Sequence, residues 1–326
     1  MDHRPFTIRT FDIYFESLII VYCSKFVNFS PFTIHHSLFT IHYSPFTIPN
    51  PLIMNNTRRS FIKNISFTAL LVTGGGIQFL TAAEAASKRK KVVYRFVVAS
   101  DGHYGQPNTP FDEMHKNIVT AINDFHSRQP LHCCIINGDI IHNEKALLPK
   151  AKTQLDGLAM TYYTGKGNHD MVSNEYWKEV WGSLPDLLVE EKHCSIIIAN
   201  TSNEKGEYLS PDLVWLKAQL ESSKNKKTVF LVLHIPQKKW TANAVDTPAF
   251  FELLKNYPNV KAVFHGHEHD QDGVKMEANI PYLFDSHFGG NWGTSYKGFR
   301  LVELMKDGSI LTYIMNPLEK INEARY

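Results

Sequence analysis

Five short stretches concentrate carboxylate, imidazole and amide groups: Asp101-Gly102-His103, Gly138-Asp139, Gly167-Asn168-His169-Asp170, the lone His234, and Gly266-His267-Glu268-His269. Each is a weak signal alone. Together they supply oxygen and nitrogen donors of the kind that hold hard to borderline divalent cations. Two such cations about 3.5–4 Å apart can lower the pKa of bound water from 15.7 to around 7 and clamp both oxygens of a displacement. The chemistry these residues point to is metal-assisted hydrolysis.

The elements that must position them are legible from the apolar runs in front of each stretch. Residues 92–99, 133–136, 158–164, 228–233 and 260–264 have the length and β-branched content of buried strands, and each run ends directly at one of the five stretches. The carboxyl ends of strands in an open α/β sheet open on a crevice, because helices cover the faces. The donors are therefore expected along one edge, with Gly138, Gly167 and Gly266 letting the backbone turn sharply beside the ions. Helices are expected over 110–127, 175–181, 211–221 and 247–257, and further strands over 195–199, 281–285, 299–305 and 309–315. The last two flank Lys306-Asp307-Gly308, a hairpin signal. Alternating strand and helix followed by a terminal hairpin predicts α/β architecture with two mixed sheets rather than one.

With 326 residues, 43% hydrophobic and 20% charged, the chain has room for a large core. A net charge of +2 and the lack of a basic stripe interleaved with aromatics argue against a nucleic-acid polymer as partner. The four cysteines make no disulfide framework: Cys133 and Cys134 are neighbours on a strand and point to opposite faces. Residues 1–53 differ from the rest. Phe-Thr-Ile recurs from Phe32, Phe39 and Phe46 among scattered prolines, which excludes a coiled coil. This segment reads as an upstream extension foreign to the working protein, with Met54 as the true start. Residues 54–86 then resemble a twin-arginine signal peptide. Thr57-Arg58-Arg59-Ser60-Phe61-Ile62-Lys63 precedes a modestly apolar stretch and the small residues Ala83-Glu84-Ala85-Ala86. The apolar stretch is shorter than the ~20 residues a span needs, which favours export over a stable membrane anchor. Residues 87–91 form a basic linker and 92–326 a single catalytic domain.

The order Asp101-x-His103, Gly138-Asp139, Gly167-Asn168-His169-Asp170, His234, Gly266-His267-x-His269 resembles the calcineurin-like metallophosphoesterases over about residues 92–315. The resemblance implies a layered α-β-β-α sandwich and a dinuclear centre. Asp101, His103 and His269 would serve one ion, and Asn168, His234 and His267 the other. Asp139 would bridge them, its short carboxylate having two oxygens to share. His169 is then placed to stabilise the transferring phosphoryl oxygens or protonate the leaving alkoxide, with Asp170 orienting its imidazole. The implied reaction is in-line attack of a metal-bridging hydroxide on a small phosphodiester or phosphomonoester, the diester slightly favoured. The ions would be Mn, Fe or Zn.

The chain departs from the family three residues after Asp139. His142-Asn143 stands where purple acid phosphatases carry a tyrosine and many members an acid followed by arginine. A ferric site is not expected, and His142 reads as a partner that orients a ligand in preference to a substrate contact. His115, His126, His132 and His193 read as solvated, His265 as either core or site, and His287 as a candidate pocket residue, as are Tyr104 and Asn108. The competing reading is a non-catalytic metal- or phosphate-binding module on the same fold, which would predict a broken ligand set.

Overall fold

The computed structural model describes residues 69–73, 76–80, 91–316 and 320–325, with side chains described over 91–316. All of these lie in one of the chain's two units, Asn56–Tyr326. Residues 1–53 and most of the expected signal segment fall outside the described residues. Within that segment, β1 (Ala69–Thr73) and β2 (Gly76–Leu80) pair antiparallel. Among the described residues no helix is long and apolar enough to cross a membrane.

The elements follow in the order β3 (Val92–Ala99), α1 (Phe111–Arg128), β4 (Cys133–Asn137), α2 (Leu148–Leu155), β5 (Tyr162–Gly165), α3 (Asn174–Trp181), β6 (Leu187–Glu190), β7 (Ser195–Ala199), α4 (Leu213–Ser222), β8 (Val229–Leu233), α5 (Pro248–Leu254), β9 (Val260–His265), β10 (Val274–Glu277), β11 (Ile280–Phe284), β12 (Phe299–Met305), β13 (Ile310–Met315) and β14 (Lys320–Arg325). They build two six-stranded sheets, ordered β14-β13-β12-β3-β4-β5 and β10-β11-β9-β8-β7-β6. Both are mixed, as expected. β3, β4 and β5 run parallel with an antiparallel flank of β12, β13 and β14. β7, β8, β9 and β11 run parallel between antiparallel β6 and β10.

Alternation along each strand assigns the layers. On β3, Phe96 and Val98 face the second sheet, while Val97 and Ala99 face α1, α2 and α3; on β4, Cys133 and Ile135 face inward and Cys134 and Ile136 outward. Phe96 meets Phe230 of β8 at 5.1 Å between ring centroids and Phe264 of β9 edge-on at 5.9 Å. Burying each such ring contributes about 1.5–3 kcal/mol. The outer face of the second sheet is covered by Leu216 and Leu220 of α4 and Phe250 and Leu254 of α5. The result is the expected α-β-β-α order of layers.

Besides β1, β2 and β14, the elements α2, β6 and β10 lie outside the sequence expectations. α2 opens on Leu148-Pro149, with proline in its first turn, and buries only Leu148, Ala151 and Leu155. β6 and β10 are four-residue edge strands with little apolar alternation. β10 turns into β11 through Ala278 and Asn279, both at positive φ, a turn in which alanine gives no warning. The run expected from 158 becomes a strand only at Tyr162.

Candidate metal centre

The five stretches meet at the carboxyl edge of the two sheets. Beyond β3 and β4 the chain continues as paired loops: Asp101 N donates to Gly138 O at 3.0 Å, His103 N to Asp139 O at 2.9 Å, and Tyr104 N to Ile140 O at 2.8 Å. Asp101, His103, Asp139 and His267 all hold positive φ, between 46° and 68°. Aspartate and histidine tolerate this left-handed region better than most residues. Of the three glycines expected to turn the chain, only Gly138 does so, at φ +81°. Gly167 and Gly266 serve close approach instead. A Cβ at Gly167 would stand 2.2 Å from Asp139 Oδ1, and one at Gly266 would stand 2.8 Å from Asp101 Oδ2.

Three donor clusters result: Asp101 with His103 and His269, Asp139 with His234 and His267, and His103 with His142 and His169. His103 Nε2 and His269 Nε2 are 3.0 Å apart, and His269 Nε2 lies 3.2 Å from Asp101 Oδ1. His234 Nε2 lies 3.3 Å from Asp139 Oδ2, and His103 Nε2 lies 3.7 Å from the same oxygen. Metal–donor distances of about 2.0–2.2 Å put neighbouring donors on one ion about 2.9–3.5 Å apart, and three of these spacings fall in that range. Asp139 presents Oδ2 to His234 and His103, and its Oδ1 accepts from His169 N at 2.7 Å.

Electrostatics favour ligation over protonation for most of the set. Burial lowers the pKa of His103 to about 3 and that of His267 to about 4, keeping both neutral. His234 differs: burial opposes its charge, but the Asp139 and Asp101 carboxylates outweigh it and raise the pKa to about 10. Asp101 falls to about 2, because His269 and His234 overcome the burial that would raise it. Asn168 Oδ1 and His267 Nε2 are buried without a hydrogen-bond partner, and His234 Nε2 faces the Asp139 carboxylate. Each unpartnered atom would cost about 1–3 kcal/mol left alone. Two divalent cations fit this donor set. The opposite ring nitrogens are held: His234 Nδ1 by Asn137 O at 2.7 Å, His103 Nδ1 by His142 Nδ1 at 3.0 Å, and His269 Nδ1 by Trp292 O at 3.4 Å. His142 thus contacts a candidate ligand, His103, a pairing the sequence did not name.

His169 is at the rim, half-buried and stacked on His142 at 4.8 Å. Its Nδ1 lies 2.7 Å from Asn143 Oδ1. Asp170 does not orient it. That carboxylate is fully buried and accepts from Gly167 N and Ile141 N, each at 2.9 Å, pinning the loops that carry Asn168 and Asp139. Asn143 takes the orienting part expected of Asp170; its adjacency to His142 was the only signal.

Four other residues depart from, or narrow, their sequence readings. His115 is fully buried, with Nδ1 2.9 Å from Phe111 O and its ring edge-on to Tyr104 and Phe288; burial lowers its pKa to about 4. Tyr104 is buried in the core, its hydroxyl on Asp112 at 2.5 Å, and is not placed to touch substrate. His265 lies on the core side, Nδ1 3.0 Å from Leu233 O and ring parallel to Tyr282. His287 is beside the site, 4.6 Å from the His269 ring, yet fully buried. His132 and His193 are exposed as expected, Asn108 is exposed, and His126 is half-buried and accepts from Leu131 N. Trp292 and Tyr208, which the sequence did not single out, lie against His269 and His267.

The family model of calcineurin-like phosphoesterases matches residues 94–271. No curated protein sequence matches the chain. Among solved structures, the fold is similar to that of a dimetal phosphatase from Danio rerio, with a TM-score of 0.58 and 15% identity over 71% of this chain and 98% of that one. It is also similar to GAP50, the anchor in the inner membrane complex of Plasmodium (TM-score 0.52, 16% identity, 72% and 88% covered). A purple acid phosphatase from yellow lupin (Lupinus luteus) seeds gives a TM-score of 0.51 at 11% identity, covering 71% of this chain and 53% of that one. At these identities the likeness is one of fold.

Proposed function

The chain belongs to the calcineurin-like phosphoesterase family, a family of dinuclear metal enzymes, and we propose that it is an exported hydrolase of small phosphodiesters or phosphomonoesters. The observation that carries this reading is Asp139 Oδ2 standing 3.3 Å from His234 Nε2 and 3.7 Å from His103 Nε2, one carboxylate oxygen shared by two donor clusters. Asp101, His103 and His269 would hold one divalent cation, and Asn168, His234 and His267 the other, with Asp139 between them. Two bound cations would supply Lewis acidity toward the phosphoryl oxygens and a water acidic enough to ionise near neutral pH.

The chain's own residues do the rest. Two carboxylates against two divalent ions leave the site net positive, which attracts an anionic ester. His169 holds its Nδ1–H against Asn143 Oδ1, so Nε2 is the nitrogen available to substrate, and in the imidazolium it can steady a phosphoryl oxygen or hand its proton to the leaving oxygen. A diester is preferred to a monoester because position 142 carries a histidine, already engaged with His103, and offers no guanidinium for a second phosphate charge. The twin-arginine-type stretch Thr57-Arg58-Arg59-Ser60-Phe61-Ile62-Lys63 supports export. The test is hydrolysis of chromogenic monoester and diester substrates by stripped protein reloaded with Mn²⁺, Zn²⁺ or Fe²⁺. Turnover that falls at least a hundredfold in Asp139→Asn is expected; no turnover with any metal refutes the catalytic reading and leaves the binding module.

A further inference from the structure

Among the described residues Trp292 is the most exposed of the large aromatic side chains, 41% exposed, although burying an indole is favourable. It lies in the loop between β11 and β12 and stacks on the His269 imidazole, 4.2 Å between centroids and 8° from parallel. It is also 4.7 Å from the His103 ring. The loop carries no regular structure, yet it is tied to the candidate centre along its length. Gly289 N donates to Asp101 O at 3.0 Å, and Thr294 N to His269 O at 2.9 Å. Asn291 Oδ1 accepts from the buried Gln106 Nε2 at 3.0 Å. Gly293, at φ +101°, approaches so closely that a Cβ there would stand 2.4 Å from His269 Cβ. Backbone and side chain of Trp292 thus act separately: its carbonyl faces His269 Nδ1, and its indole covers the imidazole while staying solvent-exposed. Tyr208, the other exposed aromatic among the described residues, meets His267 edge-on and offers no comparable stacked platform.

Building on the proposed phosphoesterase reading, we propose that Trp292 is a specificity residue whose exposed indole stacks on a planar aromatic group carried by the substrate beside its phosphate, a nucleobase or an aryl ring. A planar group attached through a short linker to a phosphate at Asp101, His103 and His269 reaches this indole and extends the stack already formed by His269 and Trp292. The chemistry shared by both sources is a flat π-system one linker from the phosphorus. Base–aromatic stacking is sequence-tolerant because every base has a π-face, so the platform selects for planarity and not for one base.

The test uses pairs with the same type of leaving oxygen: adenosine 5′-monophosphate against ribose 5-phosphate, and benzyl phosphate against cyclohexylmethyl phosphate, each also as its methyl ester. In the metal-loaded wild type, kcat/KM for the planar member of at least one pair exceeds its partner by about tenfold, and the pair that shows it distinguishes nucleotide from aryl ester. Trp292→Ala brings that ratio close to one, Trp292→Phe keeps most of it, and bound metal per chain stays at the wild-type value because the residue 292 carbonyl still faces His269. Calorimetric binding of adenosine 5′-monophosphate, ribose 5-phosphate, benzyl phosphate and cyclohexylmethyl phosphate gives the same comparison without turnover. Absence of turnover on all substrates refutes the phosphoesterase reading alone. Equal binding within both pairs, a ratio that survives Trp292→Ala, or loss of metal in that variant refutes the platform.

Discussion

Asp170→Ala separates a structural from a catalytic carboxylate. Asp170 accepts from Gly167 N and Ile141 N at 2.9 Å, with no solvent to replace it. Hydrogen bonds to charged groups contribute about 1.5–3 kcal/mol each, so two give roughly 3–6 kcal/mol. Burial and the nearby Asp139 charge raise the Asp170 pKa to about 7, so part of that gain is offset by the difficulty of holding the charge there, and the expected loss is near the lower end, about 3 kcal/mol. For a folded region of this size each kcal/mol moves Tm by about 2–4 °C, giving a drop of roughly 6–12 °C. Thermal unfolding of chelator-treated protein reads it without interference from bound ions. Asn143→Ala is the complement. Asn143 is exposed but holds φ +69°, so its exchange for alanine costs about 1–2 kcal/mol of backbone strain and no more, while turnover falls because His169 Nδ1 loses its partner. If Asp170→Ala melts within about 2 °C of wild type and loses turnover with its metal intact, the assignment of these two residues is reversed.

Metal removal by a chelator is expected to abolish turnover, and titration of the stripped protein with Mn²⁺ or Zn²⁺ to show two ions per chain. At a hundredfold excess over Kd each ion adds about 2.7 kcal/mol to stability, visible as a higher Tm. Gly293→Ala forces a Cβ into the His269 main chain at a left-handed position; a loss of at least about 1–3 kcal/mol in chemical denaturation is expected, together with reduced metal content. Gly308→Ala is the control, since it shares a positive φ but meets nothing within 4 Å, and only stability should change. Burial pushes the Cys133 and Cys194 thiols up to about 12 and Cys134 well above its usual value. At pH 8 roughly one part in ten thousand of a thiol with that pKa is thiolate, so a thiol-specific disulfide reagent should leave all three unmodified until the protein is unfolded.

The parallel strands were legible because burial on both faces writes itself as an uninterrupted apolar run. β3 and β7 coincide with their expected bounds, and β4, β8 and β9 differ by a residue or so at an end. Edge strands are not marked that way: β6 and β10 pair on one side only and keep polar residues. The gathering of the donors was equally legible, since each one follows such a run. What the sequence could not supply was direction. His115 has the helical surroundings of a solvated residue, but its position on α1 places it among Ile118, Val119 and Ile122 on the buried face, under Gly102. Asp170 follows His169 in the chain, yet its carboxylate folds back onto the Gly167 and Ile141 amides and leaves the imidazole to Asn143. Trp292 escaped notice because its loop has no periodicity; contacts that exist only in three dimensions, from Gly289 to Thr294, tie it to the centre.

The positive φ angles at Asp101, His103, Asp139 and His267 bear on any effort to retune ion preference. Replacing one of these side chains with cysteine or glutamate, to favour a softer or larger ion, would change the local backbone preference at the same time as the donor atom, and the two effects would be read as one. Asparagine keeps the conformational tolerance of aspartate while removing its charge. At Asp101 and Asp139 it is therefore the exchange whose outcome reports on coordination chemistry alone.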